Sequence, residues 1–444
     1  NAFNSNSQRK YVKTDDGCLH LVYESMGTVW YETSIDNGVT WILQNNGNPL
    51  STAGKQPSMD INSFIDPMDN VTYYQVVIVW QEQDGNASKI KIGYFYRTAN
   101  FGSYMCFMGT KAININSNYS SENCTPVIGL DNDNNFKIVF RKSASSSLLC
   151  QLGSIYTEAG ITLSGSPVSL TGTTGNSINP SLAVLKQSHP GYKLVWEEVA
   201  STTNSAIMFG TLSGSQLVGI NNASNTSPYP LNFVPSISFA NQTPIISWTV
   251  GVNTGGVISS RRAATRVNYW GSMQIAGTNV NYVNNNSANN TTEKSVISWS
   301  EGTTNPICKW MRRNSGIYAG PYGLGKAGIQ SQVCNGSDLP NMSAMAFNIQ
   351  STPYYFSKST LDFSQYYGEE IGPGLNKITE NDTIVTFGRS GVASINDIEF
   401  VFEIGDILVG DSTIRFIEIP DTLIYNTTSE INQHTRTNNF TLTP

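Results

Sequence analysis

Charge is scarce in this chain of 444 residues, with only 13% Asp, Glu, Lys or Arg. The 26 Lys and Arg are outnumbered by 32 acids, a formal net charge of −6. No basic stripe is present to meet phosphates, which argues against nucleic-acid binding. Long apolar runs are missing as well. No stretch approaches the ~20 residues of a membrane span. The three histidines, His20, His189 and His434, are scattered, and neither HExxH nor GxSxG occurs. The six cysteines form no CxxC or other metal spacing. Helical periodicity is hard to find anywhere. No cofactor is expected, and what remains is a β-rich chain.

The residues that are abundant fit that reading. Asn (47) and Gly (38) crowd the gaps between short apolar runs, which is turn chemistry repeated many times. One phrase recurs: aliphatic or β-branched residues, one large aromatic, then a polar or charged pair. Its aromatic falls at Tyr23, Trp80, Phe140, Trp196, Trp248, Trp299 and Phe356, at intervals of 57, 60, 56, 52, 51 and 57 residues. A short strand precedes each, four of them directly after a proline, as in "PSMDI" and "PSISFA". A third strand, such as "GTVWYET" or "SAIMFGTL", follows most. Three or four short strands per unit describe a propeller blade. The expectation is an all-β chain: a seven-bladed β-propeller over residues 1–368, with its aromatics in second strands. A linker over 369–394 and a small C-terminal β unit, a partial sandwich, over 395–444 complete it. Ring closure is expected near Tyr11, since a propeller must cover its edges.

Acids follow the aromatic at Glu24, Glu82, Glu197, Glu198 and Glu301. Equivalent strand ends share one face of a propeller, so these residues form a candidate ligand ring. Paired carboxylates act on sugars, and a carboxylate ring holds cations. The plainer reading is that strand ends need polar groups to meet water. Trp270 and Trp310 are candidate aromatic platforms for the apolar face of a sugar, against ordinary blade packing. "LDNDNNF" sets Asp131, Asp133 and Asn135 at calcium-loop spacing, but Phe136 stands where the loop needs Gly and no Glu closes it. This is a weak metal candidate beside a plain hairpin tip.

The stretch "SIDNGVTW" matches S-x-D-x-G-x-T-W through Ser34, Asp36, Gly38, Thr40 and Trp41. The side chains of Ser34 and Asp36 can bond nearby N–H groups, Gly38 can take a positive φ, and Trp41 can pack beneath the loop. It resembles the Asp box of sialidase-like (BNR-repeat) β-propellers of the secreted bacterial type. There it joins a blade's third and fourth strands and is structural. The resemblance implies, for an active sialidase, an arginine triad, a Tyr–Glu nucleophile and an Asp acid/base. The F/Y-R-I-P arrangement of that family is absent, so no catalytic role carries over to a position here.

An even cysteine count in an Asn-rich, Lys-poor chain suggests disulfides and export. The preferred pairs are Cys308–Cys334 and Cys106–Cys124, beside the alternative of buried free thiols. The beginning "NAFNSNSQRK" is compatible with removal of an upstream segment. The arginines of "SSRRAATR" and "WMRRN" read as solvated strand edges. Two function classes stand at this point. One is a non-enzymatic extracellular or cell-surface propeller, binding a glycan, polymer or protein or assembling through its C-terminal β unit. The other is a glycoside hydrolase on the same fold. Fold alone does not choose between them.

Overall fold

The protein was analysed as a computed structural model. It describes residues 7–25, 27–36, 38, 40–66, 70–99, 104–143, 146–156, 160–186, 191–224, 230–254, 257–269, 271, 273–276, 280–285, 295–301 and 307–314, together with later strands to residue 443. Beyond residue 311 the description is of backbone.

The chain is an all-β propeller built from successive antiparallel meanders. The first blade holds β1 (Tyr11–Lys13), β2 (Leu19–Ser25), β3 (Thr28–Ser34) and β4 (Ile42–Leu43). The second holds β5 (Gly54–Ile65), β6 (Thr72–Asp84), β7 (Ala87–Thr98) and β8 (Cys106–Asn118). The third holds β9 (Val127–Leu130), β10 (Asn135–Arg141), β11 (Leu148–Tyr156) and β12 (Gly160–Ser169). The fourth holds β13 (Ser177–Leu185), β14 (Gly191–Ser201), β15 (Asn204–Ser213) and β16 (Gln216–Asn222). The fifth holds β17 (Leu231–Ala240), β18 (Thr243–Thr254), β19 (Val257–Val267) and β20 (Gln274–Ala276).

Five blades are thus defined with their packing, where the aromatic series predicts seven. Two more sheets follow in the same strand order. One is β21 (Val280–Asn285), β22 (Ser295–Glu301), β23 (Ile307–Asn314) and β24 (Ile317–Ala327). The other has three strands, β25 (Gln330–Cys334), β26 (Ser343–Ile349) and β27 (Phe356–Asp362). The first strands are neighbours in series, β1 beside β5, then β9, β13, β17, β21 and β25, and β25 lies beside β1.

The core sits in the seams between blades, because each sheet must bury both faces against its neighbours. Trp80 packs with Val12, Val22 and Tyr31 of the first blade. Phe140 packs with Val77 and Ile92 of the second, and Trp196 with Val127 and Val139 of the third. Trp248 meets Val195 and Phe209, and Trp299 meets Ala263. Each of these aromatics therefore faces the preceding blade. From Tyr23 to Trp299 they lie in second strands, as the spacing predicts. The seventh does not. Phe356 opens β27, and the expected first strand "MSAMAF" is the middle strand β26. A three-stranded sheet shifts the register by one element, and Phe347 is the aromatic on that middle strand.

The segment read as linker carries a short ribbon, β28 (Glu370–Gly372) with β29 (Leu375–Asn376). The C-terminal unit contains a hairpin, β30 (Asp406–Val409) and β31 (Ser412–Arg415), with β32 (Thr441–Thr443) paired to β31. The alternating run Ile398–Ile404 lies outside the described residues. Among the described residues no helix is long and apolar enough to cross a membrane.

Candidate functional site

The acids of the repeated phrase do not form one ring. Side chains alternate across a strand, so positions one and two after the aromatic point to opposite faces. Glu82, Glu198 and Glu301 stand two residues after a tryptophan and share its face. The indole N–H of Trp80 donates to Glu82 (3.1 Å), that of Trp196 to Glu198 (3.1 Å) and that of Trp299 to Glu301 (2.9 Å). Lys89 (3.5 Å) and Lys91 (3.8 Å) flank Glu82, and Lys309 pairs with Glu301 at 2.7 Å. The hydroxyls of Thr174 and Ser177 donate to Glu198. Trp248 has no acid at that offset, and its indole donates to Asn232 Oδ1 at 2.8 Å. These three carboxylates are the polar partners of buried indoles.

The position directly after the aromatic has another task. It reaches the connection leading to the next blade. Glu24 accepts the backbone N–H of Gln56 (3.0 Å), and Gln81 Oε1 accepts that of Cys124 (2.9 Å). Arg141 donates to the Gly175 carbonyl (2.8 Å), and Glu197 accepts the N–H of Val234 (3.1 Å) and the Asn179 side-chain amide (2.9 Å). The residue type varies because the connection offers a donor in some blades and a carbonyl in another. Glu197 stands apart, since it is only 6% exposed. Burial pushes its carboxyl up, against the opposing bonds from Asn179 and Val234.

The connections themselves are strained. Gln56, Thr125, Asn179 and Val234 have φ of 55°, 40°, 49° and 51°, and each immediately precedes a proline; Pro57, Pro180 and Pro235 lie inside β5, β13 and β17, not at the strand start the sequence suggests, and Pro126 directly precedes β9. In the second, fourth and fifth blades this is also where the pairing register slips. Non-glycine residues are uncommon at such φ, and a β-branched Thr or Val there is an outlier. The prolines were legible in the sequence; the bulges before them were not.

A polar cluster fills the axis, where first strands meet. Asp60, 2% exposed, accepts from Arg9 (2.8 Å), from the Leu130 N–H (2.8 Å) and from Lys186 (3.5 Å). Lys186 also donates to the Ile61 carbonyl. Burial lowers the Lys186 ammonium, opposed by Asp60. The cluster joins residues of the second, third and fourth blades with Arg9 from the segment ahead of β1, and is absent from any sequence motif.

The remaining candidates resolve individually. Ser34 Oγ bonds Asp36 (2.7 Å) and accepts the Gly38 N–H (2.8 Å), while Asp36 accepts the Thr40 N–H (2.9 Å) and hydroxyl (2.5 Å). Gly38 has φ 89°, and the Trp41 indole closes onto the Gly38 carbonyl at 3.0 Å. This turn lies between β3 and β4. Asp131 caps the hairpin tip. Its Oδ1 accepts the N–H groups of Asp133 (3.0 Å) and Asn135 (2.9 Å), and its Oδ2 takes the Tyr192 hydroxyl (2.9 Å). No acidic, His or Cys cluster suited to a metal occurs among the described residues. Trp310 is fully buried, so it is packing and not a platform, while Trp270 lies outside the described residues. Arg266, read as a solvated edge, donates to the Ala223 carbonyl at 2.8 Å.

Cys106 and Cys124 are free thiols, which corrects the pairing expected for them. Cys106 opens the 13-residue β8 and Cys124 lies beside Ser117 at its other end, so a strand of roughly 40 Å holds their backbones far beyond disulfide reach. Cys18 and Cys150 are free as well, and the side chains of Cys308 and Cys334 lie outside the described residues. His20 is buried between the Tyr31 hydroxyl (2.8 Å) and Thr14 (3.2 Å). Burial, aided by Arg97, lowers it to about 3, which keeps it neutral.

No family model and no curated protein matches this chain. Among solved structures, an ulvan lyase of a new polysaccharide lyase family is 11% identical over 82% of this chain and 93% of its own, with a TM-score of 0.48. The six-bladed fucose-recognising lectin of Aleuria aurantia is 10% identical over 60% of this chain and 76% of its own, at 0.36. An α-L-arabinanase of Cellvibrio cellulosa is 11% identical over 62% and 96%, at 0.30. The propeller assignment stands on this chain's own sheet order and the succession of its first strands.

Proposed function

We propose that this is an exported propeller of seven blades that binds a glycan, polymer or protein and does not catalyse. The seven-blade count is supported by the placement of β25 beside β1, which brings the series of first strands back to its start. The proposed boundaries keep residues 1–368 as the propeller and 395–444 as a separate β unit. Extracellular placement rests on the Asn-rich, charge-poor composition. A role for the C-terminal unit in assembly would be lost on deleting residues 370–444 and is tested by sedimentation of the truncated and full chains.

One observation carries the binding reading. The acids of the phrase are committed to framework donors: indoles at Glu82, Glu198 and Glu301, backbone N–H groups at Glu24 and Glu197. General acid–base work needs two carboxyls with separated proton affinities within reach of one bond. The alternative, a sialidase-like glycoside hydrolase using paired carboxylates, is supported by Glu197, whose buried carboxyl is raised as a general acid's would be. Screening the purified protein against immobilised glycans and against aryl glycosides tests the proposal. Binding without turnover is expected. Turnover that disappears in Glu197→Gln would replace it with the hydrolase.

A further inference from the structure

The second blade outreaches the third on the face where first strands end. β5, β6 and β7 run for 12, 13 and 12 residues, whereas β9 has 4 and β10 has 7. β9 stops at Leu130, whose N–H is held by Asp60. Residues two apart on a strand share a side, so Asn62 and Phe64 follow Asp60 along the side of β5 that meets the third blade. Asn62 Nδ2 donates to Asn134 Oδ1 (3.1 Å) on the tip of the β9–β10 hairpin. Phe64 lies two residues beyond that contact. Its cross-strand partner is Tyr73, and the two rings stack with centroids 5.3 Å apart and planes 13° from parallel. Tyr96 on β7 extends the row, 6.0 Å from Tyr73. All three rings are only half-buried, unlike Trp80 and Trp196 in the blade seams.

The axial cluster stands at the inner end of this strip. Arg9 and Lys186 approach the same oxygen of Asp60, Oδ1, at 2.8 and 3.5 Å. The Asp60 side chain is 2% exposed, but those of Arg9 and Lys186 are 19% and 20% exposed, so solvent reaches the cations and not the carboxylate between them. In direct contact there are two cations to one carboxylate. Asp15 also acts on Lys186, from the β1–β2 turn, where it accepts the Ser63 hydroxyl. Arg9 meets Asp60 through Nη1 alone, of the five N–H donors in its fork. An anion that replaces water beside this pair gains charge-assisted bonds from both. From Asp60 to Phe64 is four residues of extended strand, ~13 Å. Cations, amides and aromatic rings thus follow one another along a single side of β5.

We propose that this strip binds a sugar chain that carries an oxyanion, a sulfate ester or a carboxylate. Arg9 and Lys186 take the oxyanion, Asn134, held in place by Asn62, takes ring hydroxyls, and Phe64, Tyr73 and Tyr96 take the apolar face of a neighbouring pyranose. Aromatic rings offer the large apolar area that the C–H face of a sugar can bury. Rings alone would suit a neutral sugar, and cations alone any anion; their succession on one side of β5 selects a ligand that has both. The inference rests on the glycan-binding reading above and narrows it to an anionic sugar at the second blade.

The test titrates the full chain by calorimetry with three forms of one oligosaccharide backbone: sulfated, uronate-bearing and neutral. Ionic strength is held fixed, because salt screens charge contacts. The parent should bind an anionic form roughly tenfold more tightly than the neutral one, a difference of ~1.4 kcal/mol. Which anionic form leads identifies the oxyanion as sulfate or carboxylate. Inorganic sulfate should weaken binding of that form and leave the neutral one unchanged. Lys186→Met, in which Asp60 keeps Arg9 and the Leu130 N–H, should lose most of the preference and retain the neutral affinity. Tyr73→Ala should weaken all three forms by a similar factor. Equal binding of the three forms, binding of none, or a preference that survives in Lys186→Met overturns the proposal. The first two are read on the parent, so they count whether or not a variant folds. A chain that binds the neutral form as tightly as the others keeps the glycan-binding reading and loses this one.

Discussion

Trp196 donates its indole N–H to Glu198, two residues further along the same strand, at 3.1 Å. The Trp80–Glu82 and Trp299–Glu301 pairs repeat the relation. Strand geometry explains it, because residues two apart share a face. A fully buried indole N–H without a partner carries a desolvation penalty, so a carboxylate at that offset completes the wedge between blades.

Removing that partner should therefore cost stability without touching any binding surface. Glu198→Ala leaves the Trp196 N–H and the Thr174 and Ser177 hydroxyls without their acceptor. A loss of about 2 kcal/mol is expected. Glu198→Gln, which keeps one acceptor, should lose less. Urea denaturation of the two variants against the parent checks the order, and equal losses would show that the indole bond is immaterial.

Val234 makes an opposite prediction. It is β-branched, sits at φ 51° and precedes Pro235. Glycine reaches this region freely, although it loses more backbone entropy on folding. Relief of strain on the order of 1–3 kcal/mol outweighs that entropy. Val234→Gly should raise the melting temperature although it deletes a side chain. A fall equal to that of a typical Val truncation would mean that the connection is unstrained.

The chain disclosed its architecture far more readily than its site. The interval between Tyr23 and Trp299 and the prolines at 57, 126, 180 and 235 located first and second strands, although only Pro126 stands at a strand's edge and the other three lie at bulges inside their strands. The acids misled, because "after the aromatic" merged two positions that alternate in direction. Glu24 and Glu197 clamp backbone, whereas Glu82, Glu198 and Glu301 serve tryptophans. Phe356 misled for a related reason: a spacing near the average hid that it opens the third strand of its sheet and not the second. The axial cluster of Arg9, Asp60 and Lys186 was invisible, since residues so far apart in sequence meet only once the blades are arranged about an axis.

Lys10 gives the chain an alkaline signature. It is fully buried, and burial lowers its ammonium to about 7, with Glu24 opposing. In the unfolded chain it titrates near 10.5. Between those values the unfolded state binds the proton more tightly, so this residue's contribution to stability is complete above the unfolded value and is lost as pH falls towards 7. Lys10→Met removes the penalty, which is at most a few kcal/mol, roughly 1.4 per pKa unit. The variant should melt higher than the parent at pH 7, and the difference should vanish near pH 10.5. A constant difference across that range would show that Lys10 stays charged in the fold.

Glu197 decides most, because it separates framework from chemistry. Its carboxyl is raised by burial, and the bonds from Asn179 and Val234 do not restore it. A raised carboxylic acid favours the folded state while protonated. Its contribution is therefore complete below the unfolded value near 4.5 and is lost as pH rises through the folded one. Glu197→Gln stays neutral and keeps a carbonyl for the Val234 N–H. Relative to the parent, the variant should gain stability as pH rises above the unfolded value near 4.5, read from melting curves at acid and neutral pH. Its glycan or protein binding should be unchanged, since the side chain faces the next blade's connection. If the variant instead loses a turnover that the parent shows, Glu197 is a proton donor to substrate, and the clamp at Val234 is secondary to it.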